Sequence, residues 1–120
     1  MEAAHSGGEL LQVGDLEIRA DDGLVVAGGR TVTLSVREFE LLVALARRAG
    51  RIVRREDLYR MVWGGTLRHG DRSIDVYVHK VRVKLEEALP AWRFIHTHVG
   101  FGYRLEPEPS QAFHMSDTPR

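Results

Sequence analysis

Residues 71–89 carry the side chains with the clearest potential chemistry in this 120-residue chain. At about 100° per residue, one side of a helix over this segment would carry basic and short apolar residues together: Arg72, Val76, His79, Lys80 and Val83. Cationic donors suit phosphates and base edges, and a valine methyl suits the methyl group of thymine. A merely solvated helix more often pairs glutamate with lysine four residues apart. The pattern therefore favours contact with the major groove of duplex DNA, with a solvated basic face as the alternative.

Other residue combinations give weaker grounds for a chemical site. The chain has no cysteine, which excludes disulfides, thiolate nucleophiles and cysteine-bound zinc. His96 and His98 share one face of a predicted strand, but no third ligand lies at metal-site spacing. The glycines at 100 and 102 precede a strand rather than opening a helix, so a hairpin bend explains them better than a nucleotide loop. Since no Ser-His-acid set stands out either, the sequence predicts no enzyme activity, no metal and no cofactor.

Charge is distributed unevenly along the chain, although its formal total is zero. Residues 1–35 have a net charge of −4, residues 36–105 have 14 Lys/Arg against 8 Asp/Glu, and residues 106–120 have a net charge of −2. Docking depends on the local field, so the basic middle can still attract a polyanion. No apolar run approaches the length of a membrane span, and the N-terminus lacks a signal-peptide layout, so we expect no membrane association.

The helix that must position the basic face has a regular apolar stripe. Ile74, Val78, Val81 and Leu85 follow at steps of four, three and four, as in an amphipathic helix packed on a core. Asp71 is the expected cap at its beginning, and a helix cannot continue through Pro90.

Two shorter helices are predicted upstream. Ser35 and Glu38 form a capping box that begins the first, and Gly50 ends it. Its buried face is expected to contain Phe39, Leu42, Val43, Ala46 and Ala49. An extended link over 51–53 leads to a second helix over 54–62, which ends at Trp63. The second helix is expected to bury Leu58, Met61 and Val62.

Short extended segments flank the helices on both sides. Between residues 10 and 34, four of them alternate with aspartate-glycine and glycine-glycine turns, which predicts an antiparallel meander. Residues 92–105 alternate around a glycine bend and predict a hairpin. The fold class is therefore α+β: a winged helix-turn-helix with an N-terminal four-stranded antiparallel sheet, three helices and a C-terminal β-hairpin wing. We expect a disordered N-terminus over 1–8, one domain over 9–105 and a flexible tail over 106–120.

Six short motifs lie along the chain in one order: Leu34-Ser35-x-x-Glu38-Phe39-x-Leu41-Leu42, Gly50-x-x-Val53-x-Arg55-Glu56-x-Leu58, Val62-Trp63-Gly64, Arg72-Ser73-Ile74-Asp75-Val76, Val81-Arg82-x-Lys84-Leu85 and Gly100-Phe101-Gly102-Tyr103-Arg104. This string resembles the DNA-binding domain of OmpR/PhoB-type response regulators, from about residue 10 to 105. The resemblance implies a cytoplasmic bacterial transcription regulator that binds double-stranded DNA at direct repeats. It also implies tandem copies or a weak homodimer on the DNA, and RNA polymerase as a second partner.

The same resemblance assigns roles to individual positions. Residues 71–89 become the recognition helix, where positions that face bases or phosphates are Arg72, Ser73, Asp75, Val76, His79, Lys80 and Arg82. On the wing it places Thr97 and Tyr103 at the DNA backbone, and we add His98 and Arg104 from their places on the hairpin. The loop expected to approach the polymerase contains Gly65, Thr66, Leu67, Arg68 and His69. For Asp75 two roles stay open: accepting from a cytosine amino group, or orienting a neighbouring arginine such as Arg82, which we favour slightly.

Three departures from the family pattern bear on function. Val99 stands where the family often has an arginine for the minor groove, and His79 stands at another common arginine position, so binding could depend on pH. There is no receiver domain, so the chain is either a standalone member, which its Met1 start favours, or a fragment. Two rival functions follow: a winged-helix protein-interaction module without DNA binding, or RNA or single-strand binding through exposed aromatics such as Phe101.

Overall fold

The structure is a computed structural model that describes residues 8–110. The segment 1–8, predicted to be disordered, therefore lies outside the described residues except for Gly8, and the predicted tail over 106–120 lies outside them from residue 111 onward.

Four antiparallel strands form the N-terminal sheet in the order of the chain. They are β1 (Leu10–Val13), β2 (Leu16–Arg19), β3 (Leu24–Ala27) and β4 (Arg30–Val32), with a short 3-10 turn at Ala20–Asp22. Alternate residues face inward and are buried: Val13, Leu16, Ile18, Val25 and Ala27. The four-stranded meander predicted from the turn residues is confirmed.

The first two helices, α1 (Val36–Ala46) and α2 (Arg55–Val62), also follow the sequence closely. The predicted capping box is present: the Glu38 N–H donates to Ser35 Oγ at 3.2 Å, and the Ser35 N–H donates to Glu38 Oε1 at 2.9 Å. Two expectations about burial were wrong. Ala49 is exposed because α1 ends at Ala46, and Met61 is exposed because so short a helix buries only the stripe of Leu58 and Val62.

The third helix, α3 (Ser73–Ala88), packs against α1, β4 and the strand β6 (Trp92–His98). Its predicted stripe is fully inward, since Ile74, Val78, Val81 and Leu85 are each at most 1% exposed. Asp71 acts at the beginning of the helix, where its Oδ1 accepts from the Ser73 N–H at 2.8 Å and from the Ser73 hydroxyl at 2.6 Å. None of the helices between residues 8 and 110 is both long and apolar enough to cross a membrane.

A second sheet contains three strands in the order β5-β7-β6, with β5 at Ile52–Arg54 and β7 at Gly102–Pro109. The link over 51–53 is therefore a paired strand. The tail predicted to begin at residue 106 was placed too early, because β7 pairs with β6 as far as Trp92 and Pro109. The pairing register between β6 and β7 shifts between Arg93 and Ile95, which marks a β-bulge. This bulge accommodates Pro107, because proline has no backbone N–H to donate to the neighbouring strand.

Candidate nucleic-acid interface

The outward face of α3 is open to solvent over its whole length. Opposite the buried stripe, the exposed residues are the five expected from the helical spacing, Arg72, Val76, His79, Lys80 and Val83, together with Glu87. The helix thus presents cationic, imidazole and valine side chains on one convex surface, with one carboxylate near its C-terminal end, and we call this surface the α3 face. A convex helical surface of this kind has the shape that fits a major groove.

Two lysines on α3 have different surroundings. Lys80 Nζ lies 4.9 Å from the centre of the Tyr77 ring, and none of the described carboxylates comes within ion-pair distance of it. Lys84 Nζ instead lies 2.8 Å from Glu38 Oε1. Burial raises the pKa of Glu38, but the Lys84 ammonium and the Ser35 N–H outweigh this effect and hold the pKa below its ordinary value. Lys84 therefore ties α3 to α1, while Lys80 is the cation available to a ligand.

The Asp75 carboxylate pairs with three side chains that come from three parts of the fold. Its carboxylate lies 2.9 Å from Arg55 Nη2 on α2 and 3.1 Å from Arg72 Nε, and it accepts a hydrogen bond from the Tyr103 hydroxyl on β7. The side chain is only 20% exposed. Burial raises the pKa of Asp75, but the hydrogen bonds from Arg55 and Tyr103 and the nearby arginine charges lower it below its usual range. Asp75 is therefore an ionised junction between α2, α3 and the wing.

Asp75 does pair with arginines, as expected, but they are Arg55 and Arg72, and the choice of Arg82 as the example was wrong. Arg82 Nε donates to the Ile95 carbonyl at 3.2 Å, and its Nη2 donates to Thr97 Oγ1 at 2.8 Å. The cause is geometric: seven positions place Asp75 and Arg82 on the same side of α3 but about 10 Å apart along its axis, so they meet different parts of the fold. Arg82 thus joins α3 to the strand beside it.

Sequence reasoning missed Arg55. In addition to pairing with Asp75, its Nη2 donates to the Asp71 carbonyl at 3.1 Å, so it also holds the approach to α3. Nothing in its local spacing separates it from the neighbouring arginines 51, 54 and 60, because its partners come from distant parts of the chain. Its place in the second family motif was the one available signal.

The predicted wing residues divide into inward and outward groups. Burial and the Asp75 carboxylate raise the pKa of Tyr103 to about 12, and the ring faces the interior. Arg104 is 18% exposed and pairs with Glu106 and Glu108, and its Nε donates to His98 Nε2 at 3.0 Å. Thr97 is exposed and His98 is half-buried. Only Thr97 and His98 are placed to meet a ligand without rearrangement.

The loop between α2 and α3 begins beside a group of aromatic rings. The Tyr59 and Trp63 rings stack at 5.4 Å, Trp63 meets Tyr77 edge-on at 5.4 Å, and the Arg37 guanidinium lies 5.1 Å from the centre of the Trp63 ring. In the loop itself, Gly65, Thr66, Arg68 and His69 are exposed and Leu67 is half-buried. This arrangement anchors the start of the loop and leaves its tip accessible.

Histidines do not gather with other ligands in the described part of the chain. His96 Nε2 lies 2.7 Å from the Glu106 carbonyl, and its Nδ1 lies 3.8 Å from Glu108. Between residues 8 and 110, no three His, Asp or Glu side chains are arranged to hold a metal ion.

Comparison with known proteins places this arrangement among regulatory proteins. The family described as "Transcriptional regulatory protein, C terminal" matches residues 29–105. The chain is 34% identical over 99 residues to the DNA-binding response regulator MtrA of Mycolicibacterium smegmatis, covering 82% of this chain and 43% of the relative. It is 33% identical over 97 residues to the sensory transduction protein RegX3 of the same species, with 81% and 42% covered. The chain therefore spans less than half the length of these relatives.

Solved structures show the same architecture. The RstA DNA-binding domain of Klebsiella pneumoniae, determined in complex with the RstA box, has a TM-score of 0.75 and 33% identity, with 83% of this chain and 99% of that chain covered. The DNA-binding domain of CpxR from E. coli has a TM-score of 0.75 and 31% identity, with 82% and 96% covered. The winged helix-turn-helix predicted from the sequence is thereby confirmed.

Proposed function

This chain belongs to the OmpR/PhoB-type family of transcriptional regulatory C-terminal domains, and on that premise we propose that it binds double-stranded DNA sequence-specifically to control transcription. The observation that carries the proposal is the α3 face, where basic and short apolar side chains are exposed on one convex surface. In this function α3 lies in the major groove, and the wing over 92–105 lies along the backbone and the neighbouring minor groove.

The geometry divides the predicted DNA-binding residues by role. Direct contacts fall to five exposed side chains, Arg72, Val76, His79, Lys80 and Thr97, and to the half-buried His98. Positioning falls to those already engaged within the fold, which are Ser73, Asp75, Arg82, Tyr103 and Arg104. Arg72 is 76% exposed despite its pairing with Asp75, so it reaches a base or phosphate by a rotamer change alone.

Further partners form part of the same proposal. The accessible loop at 65–69 supports a contact with RNA polymerase, and the family supports tandem copies, or a weak homodimer, on direct repeats. Such a regulator works in the bacterial cytoplasm, beside the nucleoid. No catalytic step belongs to this function.

The deciding experiment is fluorescence anisotropy with a pool of genomic duplex fragments across a salt series, with unlabelled random duplex as competitor. We expect selective binding that survives the competitor and weakens as salt rises, because phosphate contacts release counterions. Flat anisotropy at low salt would contradict the proposal and leave the α3 face as a docking surface for another protein. A preference for unpaired strands would favour single-strand binding instead.

The Lys80→Ala variant tests whether Lys80 contacts bases. Because no carboxylate between residues 8 and 110 pairs with its ammonium, we expect cognate affinity to fall about tenfold, and affinity for random duplex to fall clearly less. Arg30→Ala is the matched control, since it removes one exposed cation from β4 in the other sheet. Equal losses of affinity for cognate and random DNA would show that Lys80 contacts phosphates rather than bases.

A further inference from the structure

The tip of the wing is an apolar projection. Val99 and Phe101 are 89% and 68% exposed, on either side of Gly100. Gly100 has φ of +84°, and the Phe101 N–H donates to the His98 carbonyl at 2.8 Å, which closes the turn. No lysine or arginine lies between residues 97 and 102. Phe101 therefore stays exposed and does not pack back onto α3.

The base of the wing holds this tip away from the body. Gly102 passes so close to β5 that a β-carbon placed there would lie 2.0 Å from the Val53 carbonyl oxygen. On the other strand, Thr97 is held by the hydrogen bond from Arg82. The tip thus extends from two anchored strands, and its exposure is a consequence of tight pairing at its base.

The tip also borders the proposed DNA interface. Val99, Gly100 and Phe101 line a cleft of about 400 Å³, which is also lined by Arg55 and Arg72 and by the acidic side chains of Glu56 and Asp75. Arg72 belongs to the α3 face, so the apolar tip and the cationic face are continuous. A ligand that spans both must offer negative charge to the helix and an apolar recess to the tip. Duplex DNA does so, with phosphates flanking a groove whose floor is made of stacked bases and sugars.

We propose that the wing tip enters the minor groove as an apolar wedge, with Phe101 partly opening a base step and Val99 packing on the sugars. This inference rests on the proposed DNA-binding function. Phenylalanine is among the side chains that act as wedges between base steps, and the duplex bends as the step unstacks. The consequence for recognition is that the tip selects flexible steps such as TA or CA by their deformability, without hydrogen bonds to the bases.

The test uses operator duplexes that carry 2-aminopurine at successive positions flanking the recognition site, because the fluorescence of this base rises when it unstacks. With the unaltered protein at saturation, we expect the fluorescence to rise at one step for each bound copy. Phe101→Ala should abolish this rise and lower affinity about tenfold, with the salt slope unchanged, since an apolar contact releases no counterions. Leu10→Ala, which trims an exposed apolar side chain on β1, should preserve the rise and the affinity.

A second variant tests whether the tip binds DNA through apolar contact or through positive charge. Val99→Arg should steepen the dependence of log affinity on log salt by about 0.9, as one added phosphate contact requires. Duplex binding without a fluorescence rise, or a rise that persists in Phe101→Ala, overturns the wedge and leaves the proposed function intact. A tip that serves another protein gives unchanged duplex affinity in Phe101→Ala, which also overturns it. Absence of duplex binding by the unaltered protein removes both proposals.

Discussion

Gly102→Ala is expected to destabilise the protein by about 3 kcal/mol or more, an effect of the size produced by severe steric strain. The added β-carbon would lie 2.0 Å from Val53 O, 2.8 Å from Val53 C and 2.9 Å from Arg54 Cα. All three are backbone atoms, so no side-chain rotation relieves the clash and β5 must separate from β7. Urea unfolding at neutral pH measures the loss, and hydrogen exchange should show weakened protection of the amides of β5.

Gly100→Ala is the matched control two residues away on the same hairpin. This substitution also strains the backbone, because Gly100 has φ of +84°, but nothing lies within 4 Å of the added β-carbon. We expect a loss of about 1 kcal/mol, the usual cost of a left-handed conformation for a residue with a side chain. Equal losses in the two variants would show that glycine flexibility, rather than close approach of β5, matters at residue 102.

Asp75→Asn is expected to lower the free energy of unfolding at neutral pH by about 2 kcal/mol, less than the loss for a fully buried pair. The amide keeps the shape of the side chain but leaves Arg55 and Arg72 without their shared counter-charge. Asp57→Asn is the control, because its i,i+3 pair with Arg60 is more exposed and should contribute less than about 0.5 kcal/mol.

The same variant should change how stability depends on pH. The pKa of Asp75 in the folded protein lies below its ordinary value of 3.8, so the unfolded chain binds the proton more tightly. Its contribution is therefore fully present above about pH 5 and is lost as pH falls through the folded pKa. The stability difference between the unaltered protein and Asp75→Asn should shrink steadily below about pH 4. A difference that is the same at neutral and acid pH would show that ionisation of Asp75 is not its source.

Features with a local cause were predictable from the sequence. The stripe from Ile74 to Leu85 repeats with the period of a helix, and each of its members is buried. The capping box of Ser35 and Glu38 needs only residues three apart, and both of its hydrogen bonds are formed. The exposed α3 face follows from the same periodicity, because the side of a helix opposite its core stripe is left to solvent.

Features that depend on distant partners were not predictable in the same way. Asp75 faces Arg55 rather than Arg82 because α2 crosses the beginning of α3, and spacing within one helix does not encode that crossing. Residues 106–109 contain two prolines and two glutamates and so resemble a tail, yet their pairing with β6 and the Arg104 ion pairs hold them in a strand. Tyr103 shares its strand face with the buried Leu105, but the carboxylate that accepts its hydroxyl, Asp75, comes from a distant part of the chain.

The junction at Asp75 and the Arg82–Thr97 hydrogen bond fasten α2, α3 and the wing to one another before any ligand arrives. Such a surface needs little reorganisation on contact, so encounters are limited by diffusion and orientation, at about 10⁵–10⁷ M⁻¹s⁻¹ or faster where charge steers them. Association rates should then differ little from one ligand sequence to another. Discrimination between correct and incorrect sites would lie mainly in residence time, set by how long each complex survives before it dissociates.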